Sequence, residues 1–211
     1  MSEKMTLELL DKAKEFATLA HEGQTRKGGK DIPYITHPLA VAEILKSIKS
    51  PPETIIAGLL HDVVEDTDTT LTKIGMAFGK HVMNLVDYVT EKDTMYPIKG
   101  IPRKRSWKSR KVAYIHRIKD APIEAVTVAS ADKLHNLRDT LKDYEKHGDG
   151  VWKMFNSQKD SQWWYYSTLI NVFEYREVPK IITEEMRVAL EKIHGKLVPS
   201  GPDCGLGYLN E

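Results

Sequence analysis

The chain has 211 residues, is 41% hydrophobic and carries a formal net charge of +1. That length suits one domain, or at most two small ones, with a sizeable core, and the balanced charge gives no sign of a global nucleic-acid or membrane-surface coat. One cysteine, Cys204, cannot form an internal disulfide, and no apolar run approaches the ~20 residues that span a bilayer, so a soluble cytoplasmic protein without a secretory leader is expected.

In chain order, nearly every periodic segment reads as helix. Leu9, Leu10, Ala13, Phe16, Ala17 and Ala20 mark one buried helical face. The loop "EGQTRKGGKDIPY" ends that helix, and a second starts near His37-Pro38, burying Val41, Ile44, Leu45 and Ile48. "SPPE" breaks the chain and primes a helix from about Glu53 to Val64. Short helices over Thr72 to Phe78 and Val82 to Glu91 are separated at Gly79, and residues 92–105 read as a loop. Ser106 caps a helix over Trp107 to Ile118, Pro122 opens a long one to about Tyr144, and two more cover Ser157 to Tyr175 and Thr183 to Lys196. The expected fold is all-α, about eight to ten helices in a single domain over residues 1–198, with a flexible tail over 199–211.

Three stretches carry chemistry. "GLLHDVVEDTDTT" places His61, Asp62, Glu65 and Asp66 at the end of an apolar helix, with His61 over Glu65 and Asp62 over Asp66. A helix C-terminus already carries partial negative charge, so three carboxylates there call for a cation. A solvated helix end with a surface histidine is the bland alternative, which the buried character of "IIAGLL" weakens. In "VTVASADKLHNLRD", Asp132 follows a run that should be deeply packed. A buried carboxylate needs a basic partner or a metal, and Asn136 lies one turn on with His135 near it. In "YITHP", His37 sits where a loop meets a helix, a place that suits a capping or core histidine as well as a ligand. Together, two imidazoles and two carboxylates make a plausible set of donors for one Mn²⁺, Fe²⁺ or Zn²⁺ ion.

These motifs carry a resemblance. His37, the His61-Asp62 pair and Asp132 resemble the ligand set of the HD-domain metal-dependent phosphohydrolases. The strings "RKGG…PYITHP", "GLLHDVVEDTDTT" and "ADKLHNLRD" are similar, more narrowly, to the hydrolase domain of the RelA/SpoT family and its small alarmone hydrolases, over roughly residues 6 to 142. The resemblance implies an all-α fold, a bound divalent metal, Mn²⁺, and removal of the 3′-pyrophosphate of (p)ppGpp by attack of a metal-bound water. It implies His37, His61, Asp62 and Asp132 as metal ligands, Glu65 and Asp66 as the catalytic acidic pair, and Arg26, Lys27 and Asn136 as contacts to the nucleotide. The expected partner is therefore a small-molecule nucleotide, with no membrane and with nucleic acid disfavoured. Residues 92–120 and "WKMFNSQKDSQWWYY" depart from the long enzymes of the family, which leaves the base and phosphate pattern of the substrate open.

Two other readings stay open beside this one. One is a phosphatase on another nucleotide, such as a pppApp-like alarmone or the 2′-phosphate of NADPH. The other is a non-catalytic nucleotide- or RNA-binding protein. The basic stretch Lys99 to Lys111 suits distal phosphates, RNA or simply solvent, and Trp107 suits either a base or the core. Trp163, Tyr166, Ile170 and Phe173 read as core, with Trp152, Phe155 and Asn156 near a pocket mouth.

Overall fold

The structure is a computed structural model, and it describes residues 3–26, 31–91, 96–98, 101–103, 106–155 and 157–199. Lys27, Gly28, Gly29, Asn156, Cys204 and nearly all of the expected tail lie outside the described residues. Nine α-helices occur among those described: α1 (Glu3–Ala20), α2 (Thr36–Ser47), α3 (Pro52–Leu60), α4 (Val63–Asp66), α5 (Leu71–Val89), α6 (Trp107–Lys119), α7 (Ile123–His147), α8 (Lys159–Tyr175) and α9 (Lys180–His194). A 3₁₀ helix, Gly148–Met154, follows α7. The fold is all-α, as the periodicity predicts. No helix among the described residues is long and apolar enough to cross a membrane.

The chain gathers into two units, residues 1–90 with 121–136, and residues 91–120 with 137–211. In the first unit α3 is the central element and packs on α1, α2 and α5. It is buried from Thr54 through Leu60 because its sequence, "TIIAGLL", offers no polar face except one threonine. Gly58 permits the close approach of α2: a Cβ there would lie 2.4 Å from the Leu45 side chain. Ala13 and Ala17 of α1 are fully buried, as their spacing predicts. α5 bends at Gly79, whose φ of 90° is costly for any other residue, and this is the predicted separation point. The first part of α7 adds Ala125, Val126, Val128, Ala129 and Ala131 to the core.

The second unit contains α6, the end of α7, the 3₁₀ helix, α8 and α9, with α8 packed on both α6 and α9. Ser106 caps α6 by accepting from the Ser109 N–H at 3.2 Å, as expected. Tyr166, Ile170 and Phe173 are buried in α8, and the half-buried Trp107 packs edge-on against Trp164 and Tyr165.

Two local expectations are corrected. The segment 92–105 holds a short antiparallel pair, β1 (Tyr96–Ile98) and β2 (Ile101–Arg103), rather than loop alone. The predicted helix to Val64 is also interrupted: α3 stops at Leu60, and α4 begins only at Val63. The His61 imidazole donates from Nδ1 to the Gly58 carbonyl at 2.9 Å. That carbonyl is the acceptor the Asp62 N–H would use if the helix continued, so the side chain competes with the helix at this turn.

Candidate metal centre

The break at His61-Asp62 turns both side chains inward, toward His37 at the start of α2 and Asp132 in the middle of α7. All four residues lie in the first unit. His37 Nε2 lies 3.2 Å from His61 Nε2, 3.1 Å from Asp132 Oδ1 and 3.5 Å from Asp62 Oδ2. His61 Nε2 lies 3.0 Å from Asp62 Oδ2 and 3.7 Å from Asp132 Oδ1. Three of these residues, His37, His61 and Asp132, are buried and offer donor atoms all within 4.8 Å of one another.

The electrostatics follow from that crowding. Burial by itself would lower the His61 imidazole, but Asp62 with Asp132 holds it well above its ordinary value. Burial lowers His37, against the pull of Asp132. Burial would raise both carboxyls, yet Lys133 and the two imidazoles hold Asp132 well below the ordinary carboxylate range, and His61 with His37 does the same for Asp62. The carboxylates are thus ionised and the imidazoles press against them. This mixture of nitrogen and hard oxygen donors fits a divalent transition-type cation.

Each donor is held from behind. The Gly58 carbonyl can only accept, so His61 keeps a proton on Nδ1 and turns Nε2 to the cluster. Asn136 donates to Asp132 Oδ1 at 2.6 Å, and Lys133 donates to Oδ2. The Tyr34 hydroxyl reaches Asp62 Oδ2 at 2.6 Å and Asp66 Oδ2 at 2.8 Å. Burial, with those two carboxylates, pushes the Tyr34 phenol far above its ordinary value, so it keeps its proton. Tyr34 is held in turn by the loop. Its N–H donates to the Gln24 carbonyl, Thr25 bridges Pro33, and its ring stacks on the buried His21. Gln24 donates from its side chain to the Asp66 carbonyl at 2.7 Å.

The structure brings most of the sequence candidates together. Arg26 donates to Asn136 Oδ1 at 3.1 Å, its guanidinium 5.7 Å from the centre of the Tyr34 ring, so the loop reaches the residues around Asp132. Asp66 is tied in through Tyr34. Glu65 stands beside it in α4, exposed. Lys27 lies outside the described residues. In the second unit, Lys111 and Arg110 pair with Glu91, and Lys108 lies over the Trp164 ring at 5.9 Å. Sequence reasoning gave no role to Tyr34, Lys133 or His21. Tyr34 is the recoverable one, since it stands one turn before His37 in "YITHP".

Comparison with known proteins agrees with this geometry. The HD-domain family pattern matches residues 13–163. The bifunctional (p)ppGpp synthase/hydrolase SpoT of Escherichia coli is 40% identical over 120 residues, covering 56% of this chain but only 16% of that protein. The chain therefore spans a small part of such long relatives. The Xenopus tropicalis guanosine-3′,5′-bis(diphosphate) 3′-pyrophosphohydrolase MESH1 is 37% identical over 157 residues, which is 74% of this chain and 80% of that protein. A Listeria monocytogenes crystal structure superimposes with a TM-score of 0.65 at 33% identity, covering 82% of this chain and all of that one. The residues around His37, His61, Asp62 and Asp132 thus belong to a divalent-metal fold, and the chain is a member of the HD-domain family, in the group that contains the SpoT- and MESH1-type pyrophosphohydrolases.

Proposed function

We propose that the chain is a metal-dependent pyrophosphohydrolase that removes the 3′-pyrophosphate from (p)ppGpp-like nucleotides. One observation carries the reading: two imidazole Nε2 atoms and two carboxylates converge from three separate places in the chain, with His37 Nε2 within 3.5 Å of the other three. His37, His61, Asp62 and Asp132 are the residues that would hold the metal, and Mn²⁺ suits their mixed donors. A bound divalent ion lowers the pKa of water and neutralises charge on a phosphoryl oxygen. The name of the MESH1 relative supports the substrate class, and a cytoplasmic location is consistent with such a substrate.

The chain's own groups supply the rest. Asp66, aimed by Tyr34, and the adjacent Glu65 take the proton from the attacking water and return it to the leaving oxygen. Tyr34 keeps its one proton and shares it between Asp62 and Asp66, so that the acid-base pair and the metal donors hold one geometry. Phosphate and carboxylate repel, so cations must stand between them. Arg26 at the edge of the cluster would do this, with its sequence neighbour Lys27 assigned the same role by charge, while Asn136 fixes Asp132 and would contact the nucleotide. The four-phosphate and five-phosphate guanosine alarmones, and beside them pppApp and NADPH, each incubated with Mn²⁺ and with EDTA, test the reading. Pyrophosphate release confined to 3′-pyrophosphorylated guanosine nucleotides, and abolished by EDTA, is expected. Faster pyrophosphate release from pppApp, or orthophosphate release from NADPH, would move the assignment to those substrates, and tight nucleotide binding without turnover would make the protein a sensor.

A further inference from the structure

His135 stands directly behind His37. The two Nδ1 atoms are 2.8 Å apart, with ring centroids at 4.9 Å and planes tilted by 50°, a hydrogen-bonded arrangement rather than a stack. His37 is 1% exposed, so water cannot satisfy its Nδ1, and the partner must come from the protein. The other buried imidazole of the cluster solves the same problem with a backbone carbonyl, which can only accept. For His37 Nε2 to offer a lone pair to a metal, its ring proton has to sit on Nδ1, and His135 Nδ1 must then be the acceptor.

We propose that His135 is a positioning residue of the metal site: as the tautomer protonated on Nε2, it accepts from His37 Nδ1 and thereby aims His37 Nε2 into the cluster. This rests on the metal assignment above. The helix register supports it. Asp132, His135 and Asn136 sit at i, i+3 and i+4 of α7, on one face. That face contributes a candidate metal-ligand oxygen at Asp132, a hydrogen-bond acceptor behind His37, and at Asn136 a hydrogen-bond donor to Asp132 Oδ1. Two of the four candidate ligands, one on α2 and one on α7 itself, are therefore aligned by α7. Backbone carbonyls hold their acceptor geometry without a side chain. At His37 the acceptor can be removed by substitution, which makes the role testable.

The test is the affinity for Mn²⁺ alone, read by electron paramagnetic resonance of the free ion, in three variants. His135→Phe keeps a ring and loses the acceptor. His135→Leu gives the same loss in a different shape, should the phenyl ring fail to fold. His135→Asn places a carbonyl oxygen near the position of Nδ1. Partners that orient a metal-ligating histidine typically contribute about 10–100-fold in affinity. The expectation is a loss of that size for Phe and Leu, with Asn staying within a few-fold of the parent. In the parent, ¹⁵N spectra of the imidazoles should show His135 unprotonated at Nδ1 and protonated at Nε2. Parent-like affinity in the Phe and Leu variants would overturn the proposal, as would an Asn variant as weak as the Phe one. A parent protein that binds no Mn²⁺ would instead overturn the metal assignment on which the proposal rests.

Discussion

The protein buries imidazoles in two different ways. His37 and His61 in the first unit are 1% and 4% exposed, and His194 in the second unit is 8% exposed. Burial alone does not separate them. Their surroundings do. His37 and His61 face two carboxylates, and each has its Nδ1 matched to a fixed partner. His194 lies 4.9 Å from the Trp152 ring, shares a pocket with Leu137, Leu190 and Ile193, and has no hydrogen-bond partner at Nδ1 among the described residues. Burial, with Lys159 and Lys196 nearby, pushes its pKa down to about 4, so it is a neutral packing residue at pH 7. A buried histidine therefore signals a site only when complementary donors converge on the same point.

Substitution breaks the comparison most sharply. Asp132→Ala or His61→Ala removes a donor and should abolish metal binding and turnover together, while His194→Gln leaves both within a few-fold. Metal content by mass spectrometry, measured alongside pyrophosphate release, checks this. Wild-type metal stoichiometry in both Asp132 and His61 variants would contradict the assignment of donors.

A smaller loss separates proton transfer from metal holding. Glu65→Gln is nearly isosteric but cannot take a proton, so kcat should fall by about 10²–10⁴ with metal content unchanged. A near-normal kcat would leave Asp66 as the acidic group that matters.

Smaller again is the effect of the loop. Arg26→Ala removes a cation that reaches Asn136, and losing a charge-assisted hydrogen bond typically costs about 1.5–3 kcal/mol. That is roughly tenfold or more in kcat/KM for ppGpp, whereas p-nitrophenyl phosphate should lose far less. Equal losses on the two substrates would show that Arg26 supports the site generally and reads no nucleotide phosphate.

The weakest expected effect concerns stability and comes from His194. Its folded pKa of about 4 lies below the unfolded value of about 6.5. Between those values the unfolded chain binds the extra proton, so stability rises with pH and is lost as pH falls from about 6.5 toward 4. His194→Gln removes this dependence. Urea midpoints at pH 7 and pH 5 should therefore drop less in the variant than in the parent, and an equal or larger drop would contradict the neutral assignment.

Much of this architecture is legible in the sequence, for physical reasons that differ by region. Proline and glycine punctuate the helices at Pro51, Gly79 and Pro122, because their backbone constraints act locally. Asp132 announces itself by following "VTVASA", since a carboxylate inside such a run needs a partner. The helix break at His61 is not legible, because it arises from a side chain taking the Gly58 carbonyl inside a packed core. Nor is the strand pair. Pro97 faces Pro102 across the register, and proline within a run argues against a strand. The Tyr34 link to Asp66 depends on the closure of the loop by Thr25 and Pro33, a contact between the two ends of a loop that no periodic pattern encodes.

The most direct test of the central account is the ³¹P spectrum of ppGpp incubated with the protein and Mn²⁺. Attack at the 3′ position should convert ppGpp to GDP and inorganic pyrophosphate in equal amounts, with no reaction in EDTA and none from Asp132→Ala. Orthophosphate as the first product, or turnover that persists in EDTA, would contradict a metal-dependent 3′-pyrophosphohydrolase built on His37, His61, Asp62 and Asp132.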